Sequence, residues 1–292
     1  MKIRHFLTVV LLAAGLVACT TASRPELSGM SFADEPLTGK VVWYDLITED
    51  LDGARDFYQG LFGWTFEDSK GPTGQDYAVA RSGNVYVAGM VEIPAATDGT
   101  KLSRWLPYVS VADVDAAVSR GIAAGASVAV SARDVNLGRV AALVDPEGAV
   151  IGLARSAFGD PDENTTAPAA GRPVWTELLT DDAAAAAKFY AELGGYDVNT
   201  VDRRGGQYTL LASNGKNRAG ILKKPSDKVM PVWLTYFGVD DPAAAAVLAE
   251  SLGGKIILPA SQELRDGTMA IVTDPSGAVL VLQDWTELRG VR

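Results

Sequence analysis

The stretch that decides the fold is Val41–Trp64, VVWYDLITEDLDGARDFYQGLFGW. A close copy of it, VWTELLTDDAAAAAKFYAELGGY, returns at Val174–Tyr196. Aligning Trp43 with Trp175 needs no gap and superimposes four further pairs: Asp50 and Asp182, Phe57 and Phe189, Tyr58 and Tyr190, Gly63 and Gly195. An internal repeat is stronger evidence about a fold than a local motif. The chain is therefore expected to contain two similar halves.

Each copy has the pattern of a strand followed by a helix. An apolar run of about eight residues precedes an Asp that can cap a helix, an amphipathic segment follows, and a Gly ends it. Two weaker versions begin at Trp105, WLPYVSVADVDAAVSRGIAAGA, and at Trp233, WLTYFGVDDPAAAAVLAESLGG. The pattern predicts four similar units, two in each half.

Short strand-like runs separated by turn residues follow each helix, so each unit is interpreted as βαβββ. The chain has 292 residues, of which 48% are hydrophobic, and such a chain has room for about two packed domains. We place the first domain at residues 38–158 and the second at residues 172–287. Residues 159–171, which are small, polar and Pro-containing, are interpreted as the linker.

The N-terminus has the form of a secretory signal at residues 1–18, with an apolar run, Phe6–Val17, that is too short for a comfortable membrane span. Its end, Leu16-Val17-Ala18-Cys19, resembles the lipobox of bacterial lipoproteins, whose cysteine carries diacylglycerol after cleavage. Cys19 is the only cysteine, so we expect it to be acylated and to anchor the protein in the bacterial cell envelope, on a periplasmic or extracytoplasmic face. Residues 19–37 are then a flexible tether. The alternative is an ordinary signal peptide with an incidental cysteine.

The charge of the chain limits its partners. Cleavage would remove Lys2, Arg4 and the single histidine, His5, which leaves 24 basic residues against 36 acidic ones and a formal charge of −12. Binding to nucleic acid requires a basic surface, so nucleic-acid partners are not expected. Attraction of basic residues to anionic lipid is also disfavoured. The membrane contact is therefore expected through the lipid on Cys19 alone.

Several motifs together resemble those of the vicinal oxygen chelate superfamily: paired βαβββ units, Phe57-Tyr58 in the first helix, Leu61-Phe62-Gly63-Trp64 after it, and an Asp-Pro-x-Gly-Ala turn before a last strand. That superfamily includes glyoxalase I, extradiol dioxygenases, fosfomycin-inactivating enzymes and bleomycin-binding proteins. Within it the chain is most similar to the tandem-domain branch typified by the mycobacterial antigen Cfp30B. The resemblance implies an α+β fold of two tandem domains, each built from two βαβββ units that form a curled mixed sheet with the site on its concave side.

Active members of the superfamily place metal ligands on that concave side. The resemblance carries the ligand positions onto residues without ligand groups: Trp43, Leu106 and Gly152 in the first half, and Trp175, Leu234 and Val281 in the second. Only the fourth-strand position stays open, with Glu92 near it in the first half. A transition-metal site usually brings together three or four His, Cys or carboxylate ligands. No metal cofactor is therefore expected, although the acidic surface leaves room for an adventitious calcium or magnesium ion.

Trp43 and Asp45 are two residues apart on one strand, as are Trp175 and Glu177, so each pair shares a face. The resemblance makes this the concave face. Each carboxylate could orient a ligand, bind a cation, or act as a catalytic acid or base if burial raises its pKa. In the alternative, the indole fills the place of the metal and the acid bonds to backbone or to an Arg. Two tyrosines are expected on the same side, as hydroxyl donors or as core rings: Tyr108 and Tyr236.

Three hypotheses about function remain open. In the first, the protein is a metal-independent lipoprotein that binds an unidentified small molecule in its concave clefts. In the second, it is a glyoxalase-like or dioxygenase-like enzyme that uses Asp45 or Glu177. In the third, the clefts are filled and the protein binds a protein partner. For the first hypothesis, cationic or hydroxyl-bearing aromatic compounds are the expected ligands, because indole and an acidic surface attract cations.

Overall fold

The computed structural model describes residues 30–71, 74–203, 206–263 and 265–286. The predicted signal segment, the acylation site Cys19 and the beginning of the tether lie outside the described residues. No helix within the described residues is long and apolar enough to cross a membrane.

The first half of the chain forms eight strands and two helices. In chain order they are β1 Val41–Thr48, α1 Leu51–Phe62, β2 Thr65–Lys70, β3 Asp76–Ser82, β4 Val85–Glu92, β5 Arg104–Ser110, α2 Val114–Ala123, β6 Ser127–Val135, β7 Gly138–Val144 and β8 Val150–Ser156.

The second half repeats this order. Its elements are β9 Pro173–Thr180, α3 Ala183–Gly194, β10 Asp197–Arg203, β11 Gly206–Ser213, β12 Lys216–Lys223, β13 Val232–Val239, α4 Pro242–Ser251, β14 Lys255–Leu258, β15 Met269–Thr273 and β16 Val279–Asp284. A short turn of 3-10 type, Arg265–Gly267, precedes β15.

Each half forms one eight-stranded mixed sheet. The strand order is β2-β3-β4-β1-β5-β8-β7-β6 in the first and β10-β11-β12-β9-β13-β16-β15-β14 in the second. Within each βαβββ unit the first strand runs parallel to the last, as β1 does to β4, and the two units join through an antiparallel pair such as β1 and β5. The predicted α+β fold of two tandem domains, each with two βαβββ units, is confirmed.

The repeated Asp and Gly residues mark the ends of the helices, as the sequence predicts. The carboxylate of Asp50 accepts a hydrogen bond from the backbone of Gly53 at the start of α1, and Asp182 caps α3 in the same way. Gly63 and Gly195 follow these two helices with φ of 68° and 69°, a conformation that glycine adopts without a steric penalty.

The two domains share their cores. Helix α1 packs with α4, and α2 packs with α3, so the first unit pairs with the fourth and the second with the third. At the first contact Trp105 of domain 1 lies 5.0 Å, between ring centroids, from Phe237 of domain 2. Burial of aromatic rings in such contacts is a main source of stability. We therefore expect the two domains to behave as one body.

The segment between the domains is packed against the chain that precedes the first domain. Asp160 is fully buried and accepts hydrogen bonds from the backbone of Leu37 and from Ser110. Phe32 forms an isolated bridge with Pro161. This arrangement places residues 161–168 beside the start of β1, where they form part of the wall of a cavity.

Candidate functional site

Strand alternation separates the residues of β1 as predicted. Leu46 is fully buried in the core, and the Tyr44 hydroxyl lies 2.9 Å from that of Thr176 in the other domain. Trp43 and Asp45 point to the opposite face, where the indole Nε1 donates to the Asp45 carboxylate at 2.9 Å. The same alternation holds in β9 for Trp175 and Glu177. Each domain therefore has a cleft with an indole and a carboxylate on one face of its sheet.

In the second domain the carboxylate lies at the centre of a hydrogen-bonded network. Glu177 is 1% exposed and accepts from the hydroxyls of Tyr208 at 2.7 Å and Tyr236 at 2.6 Å. Nη2 of Arg265 lies 3.1 and 3.2 Å from its two oxygens. The indole of Trp175 donates to the Tyr208 hydroxyl at 3.0 Å. Glu177 is thus fully partnered, and it fixes the positions of two tyrosines and an arginine.

Burial, followed by the negative charge of Glu177, raises the pKa of both Tyr208 and Tyr236 well above the ordinary value of tyrosine. Both hydroxyls therefore remain protonated and donate to the carboxylate. Arg265, which faces them, has a φ of 47°, an uncommon backbone conformation for a residue other than glycine. Backbone strain of this kind often occurs at functional sites. Here the strained residue, Arg265, directs its guanidinium group into the cleft.

The first cleft has similar residues and different electrostatics. Asp45 accepts hydrogen bonds from Trp43 and from the Tyr77 hydroxyl at 2.7 Å, and the Tyr108 hydroxyl faces the same carboxyl. Within the part of the chain that the structure describes, no Lys or Arg forms an ion pair with Asp45. Burial raises the pKa of Asp45, although the hydrogen bonds from Tyr77, Trp43 and Tyr108 act in the opposite direction. Among the described residues, Asp45 therefore differs from Glu177 in having no Lys or Arg as an ion-pair partner.

Two glycines make room for the tyrosines that contact the carboxylates. Gly89 pairs with Asp45 across the sheet, and a Cβ there would lie 1.6 Å from the Tyr77 hydroxyl. Gly220 pairs with Glu177, and a Cβ there would lie 1.9 Å from the Tyr208 hydroxyl. Sequence reasoning missed Tyr77, Tyr208 and Arg265. The signal that could have found the tyrosines is a glycine in the middle of a strand, which often marks the close approach of another group.

The predicted tyrosines Tyr108 and Tyr236 face the clefts. Tyr108 pairs with Trp43 across β1 and β5, and its ring occupies the space beside Gly152, where a Cβ would lie 2.4 Å from it. Tyr236 pairs with Trp175 and reaches Glu177. The structure thus brings together the six residues singled out from the sequence as two groups of three: Trp43, Asp45 and Tyr108, and Trp175, Glu177 and Tyr236.

The residues at the ligand positions of the superfamily do not fit a metal ion. Trp43, Leu106 and Gly152 have no ligand group, and the fourth-strand position opposite Asp45 is Gly89. Glu92 does not supply the missing ligand, because it is exposed at the end of β4 and pairs with Thr48. No group of three or more His, Cys, Asp or Glu residues within the described ranges is arranged to hold a metal ion.

The second cleft opens into a cavity of about 590 Å³, a size typical of small-molecule sites. It lies where the linker passes the beginnings of β1 and β9. The aromatic residues among its described lining are Trp43, Tyr44, Tyr86, Trp175, Tyr208 and Tyr236. Asp45 and Tyr108 of the first cleft do not line it. The structure therefore distinguishes the two clefts, although their residues repeat.

Comparison of the chain with known proteins identifies its family. A profile of the Glyoxalase/Bleomycin resistance protein/Dioxygenase superfamily matches residues 40–166 and 172–282. The "Putative glyoxylase CFP32" of Mycobacterium tuberculosis is 33% identical over 242 residues, which cover 81% of this chain and 91% of the relative. The "Anthracycline biosynthesis protein DauV" of Streptomyces sp. strain C5 is 30% identical over 253 residues, which cover 82% of this chain and 91% of the relative.

Solved structures share the fold at low sequence identity. The Mn(II)-bound glyoxalase from Novosphingobium aromaticivorans superimposes with a TM-score of 0.55 at 17% identity, covering 86% of each chain. The 2,2',3-trihydroxybiphenyl 1,2-dioxygenase from Sphingomonas wittichii has a TM-score of 0.55 at 14% identity and covers 85% of this chain and 90% of its own. At such identity the comparison concerns the fold alone.

Proposed function

The chain belongs to the Glyoxalase/Bleomycin resistance protein/Dioxygenase superfamily, and we propose that it is a lipid-anchored, metal-independent member that binds a small molecule. The binding site in this proposal is the cavity of about 590 Å³ into which the second cleft opens. Anchorage rests on the lipobox that ends at Cys19.

The observation that carries the proposal is the combination of an aromatic wall with a few fixed polar groups. Trp175, Tyr208 and Tyr236 line the cavity, and Glu177 holds the two tyrosine hydroxyls in place from behind. Ligand sites commonly divide the work in this way, with apolar rings supplying contact area and a few polar groups fixing orientation. An open cavity at this place favours a small molecule over the hypothesis of filled clefts.

Metal independence is supported by the side chains at the superfamily's ligand positions. Trp175, Leu234 and Val281 supply no donor in the second domain, and Gly220 lies opposite Glu177. Glu177 has its oxygens engaged by Tyr208, Tyr236 and Arg265. A carboxylate in such a network is suited to positioning its neighbours. The family chemistry that depends on a metal therefore has no matching set of ligands here.

The names of two relatives agree with a small-molecule role. One is named as a glyoxylase and the other as a protein of anthracycline biosynthesis. Both names refer to the chemistry of small molecules, and each relative covers more than four-fifths of this chain.

An enzymatic role is the second candidate, and Asp45 is the residue that favours it. Burial raises the pKa of this carboxyl, and the Tyr77 hydroxyl orients it at 2.7 Å. A carboxyl whose pKa is raised in this way is suited to act as a general acid or base. Because Asp45 lies outside the cavity wall, a reaction there would require a substrate in the first cleft.

A screen of aromatic fragments by ligand-observed NMR would test the binding proposal with the purified full chain. We expect hits whose binding is lost in Trp175→Ala and retained both in Trp285→Ala, which removes an indole outside the cavity, and in the presence of EDTA. Binding that requires an added metal, or that survives Trp175→Ala unchanged, would contradict the proposal. A screen without hits would also count against it.

A further inference from the structure

The cavity has a charge opposite to that of the whole protein. The chain has 26 basic and 36 acidic residues. Among the described residues that line the cavity, six are basic and only Glu163 is acidic. The basic residues are Lys40, Arg172, Arg203, Lys216, Arg218 and Arg265. A positive cavity in a negative protein concentrates anions and repels cations.

Three of these basic residues serve the packing of the linker. Arg218 pairs with Glu163 at 2.7 Å, and Lys216 lies 3.7 Å from the same carboxylate. Nζ of Lys40 donates to the backbone carbonyl oxygens of Pro161 at 2.5 Å and Asp162 at 3.0 Å. Their charges therefore have nearby partners from the chain itself.

The other three are incompletely partnered. Within the described residues, neither Arg172 nor Arg203 forms an ion pair, and Nε of Arg172 is buried without a hydrogen-bond acceptor. Arg265 uses Nη2 to bind Glu177, and its side chain is 26% exposed. A guanidinium has five N–H donors, so Arg265 has donors to spare for a ligand.

Two of these guanidinium groups flank the same pair of tyrosines. Arg203 lies 5.4 Å from the centroid of the Tyr208 ring, and Arg265 lies 5.6 Å from that of Tyr236. Both tyrosine hydroxyls donate to the same carboxylate, Glu177. Because Arg203 and Arg265 each lie beside one of these two rings, both guanidinium groups are in the same part of the cavity. A planar guanidinium matches a carboxylate by two parallel hydrogen bonds, and the neighbouring rings supply a surface for an aromatic group.

We infer that the natural ligand is an aromatic anion, a carboxylate or a phenolate, whose ring packs on Trp175 and whose negative group binds Arg203 and Arg265. This inference rests on the proposed function and specifies its ligand. The sequence predicts cationic or hydroxyl-bearing aromatic ligands, and this inference differs from the first of these two alternatives, which rested on the acidic surface and the indole rings. The carboxylate of the second cleft is instead neutralised by Arg265, and the excess charge of the lining is positive.

Three naphthalene probes of similar shape separate charge from ring contact: 2-naphthoate, 2-naphthamide and 2-naphthylmethylammonium. Isothermal titration of the full chain at low ionic strength is expected to give an affinity for 2-naphthoate at least about tenfold above that for 2-naphthamide, the usual gain from a charge-assisted bond. The ammonium compound should bind most weakly. Added salt should weaken the binding of 2-naphthoate and leave that of 2-naphthamide nearly unchanged.

Substitutions locate the effect. Arg203→Gln should lower the affinity for 2-naphthoate about tenfold and leave 2-naphthamide unaffected, and Arg172→Gln should act in the same direction. Arg139→Gln, which removes an arginine outside the cavity wall, is the matched control and should change neither. Equal or tighter binding of the amide, or a preference for 2-naphthoate that survives Arg203→Gln, would overturn the inference while leaving a small-molecule site in place. If none of the three probes binds, the proposed function itself is contradicted.

Discussion

The hydroxyl of Tyr190, on helix α3 of the second domain, lies 2.8 Å from Oδ2 of Asp145, in the last turn of the first domain. Trp233 donates to the same hydroxyl from 2.9 Å. The arrangement repeats in the opposite direction, where Tyr58 of the first domain lies 3.3 Å from Asp274 of the second and receives the indole N–H of Trp105 at 3.0 Å. Each domain thus contributes a tyrosine to the other's Asp-Pro turn.

Tyr190→Phe should lower the free energy of unfolding by about 1–3 kcal/mol, because it leaves the buried Asp145 and Trp233 each without one hydrogen-bond partner. Tyr58→Phe should cost less, since its bond to Asp274 is longer. Urea unfolding of the purified protein, followed by circular dichroism, measures both. A larger loss for Tyr58→Phe than for Tyr190→Phe would contradict the ranking.

Asp274 provides a test by pH. It is 1% exposed, and burial raises its pKa from 3.8 to about 6, against the opposing effect of the backbone N–H groups of Ala278 and Gly277. A carboxyl with a raised pKa in the folded state stabilises the fold below its unfolded pKa and loses that contribution as pH rises through the folded one. The stability of the wild type relative to Asp274→Asn should therefore fall between pH 4 and pH 6 by roughly 2–3 kcal/mol.

Urea unfolding of both proteins at several pH values between 4 and 7 gives this difference. Asp98→Asn is the control, because the backbone and hydroxyl of Thr100 lower the pKa of that exposed carboxyl. Asp98 therefore stays charged across this range, and the difference between wild type and Asp98→Asn should stay nearly constant. A difference between wild type and Asp274→Asn that stays constant across the range would show that Asp274 does not titrate as described.

The fold could be predicted because its residues repeat. The alignment of Trp43 with Trp175 placed one strand and one helix in each half correctly, and the weaker repeats from Trp105 and Trp233 placed a second strand and helix in each half. Strand alternation placed Asp45 and Glu177 on the cleft face. The sequence alone does not show which Lys or Arg side chain contacts a given buried carboxylate. Arg265 lies in a turn with an unusual backbone conformation, 88 residues after Glu177 in the chain.

The difference between the two clefts could not be predicted either. Tyr77 lies in β3 and Tyr208 in β11, the third strand of each half. Each of these strands contains a register shift against the strand that follows it. Counting residues along the sequence therefore does not locate the partners of these tyrosines. The positive charge of the cavity arises from Lys40 just before β1, Arg172 just before β9, and basic residues on β10, on β12 and in the turn before β15. These segments come together only in the folded chain.

Acylation at Cys19 remains a prediction from the lipobox and the single cysteine. The wild type should fractionate with membranes when expressed in a bacterium with the lipoprotein pathway, and mass analysis of the mature N-terminus should find Cys19 carrying diacylglycerol. Cys19→Ser should release the protein from the membrane, because no other feature of the sequence suggests an anchor. A soluble wild-type protein with a different mature N-terminus would refute the prediction.

Metal independence can be examined by elemental analysis of protein purified without chelators. We expect well below one equivalent of Fe, Mn, Ni or Zn per chain, because Trp43, Leu106 and Gly152, and likewise Trp175, Leu234 and Val281, have no ligand groups. Treatment with EDTA should leave both the melting temperature and the affinity for 2-naphthoate unchanged. One equivalent of metal, lost on chelation together with binding, would overturn the expectation.

Asp45 and Glu177 occupy equivalent positions in the two domains, but replacing each carboxylate by its amide should lower the free energy of unfolding by different amounts. Glu177 is buried, accepts two tyrosine hydroxyls and pairs with Arg265. Glu177→Gln leaves that arginine without its counter-ion, and removing one member of a buried pair typically costs about 3–5 kcal/mol. Asp45 has no cationic partner among the described residues, and burial already raises its pKa. Asp45→Asn keeps an acceptor for Trp43 and Tyr77 and removes a charge that burial disfavours.

At pH 7 the cost of Asp45→Asn should therefore stay within about 1 kcal/mol, well below that of Glu177→Gln. Urea unfolding of the two variants measures the difference. Combining Glu177→Gln with Arg265→Gln should recover part of the loss, because both charges are then absent, and the double-mutant cycle gives the coupling between them. Equal costs for the two single variants, or a double variant that is simply additive, would mean that Arg265 does not stabilise Glu177 in the way that the short distances between them imply.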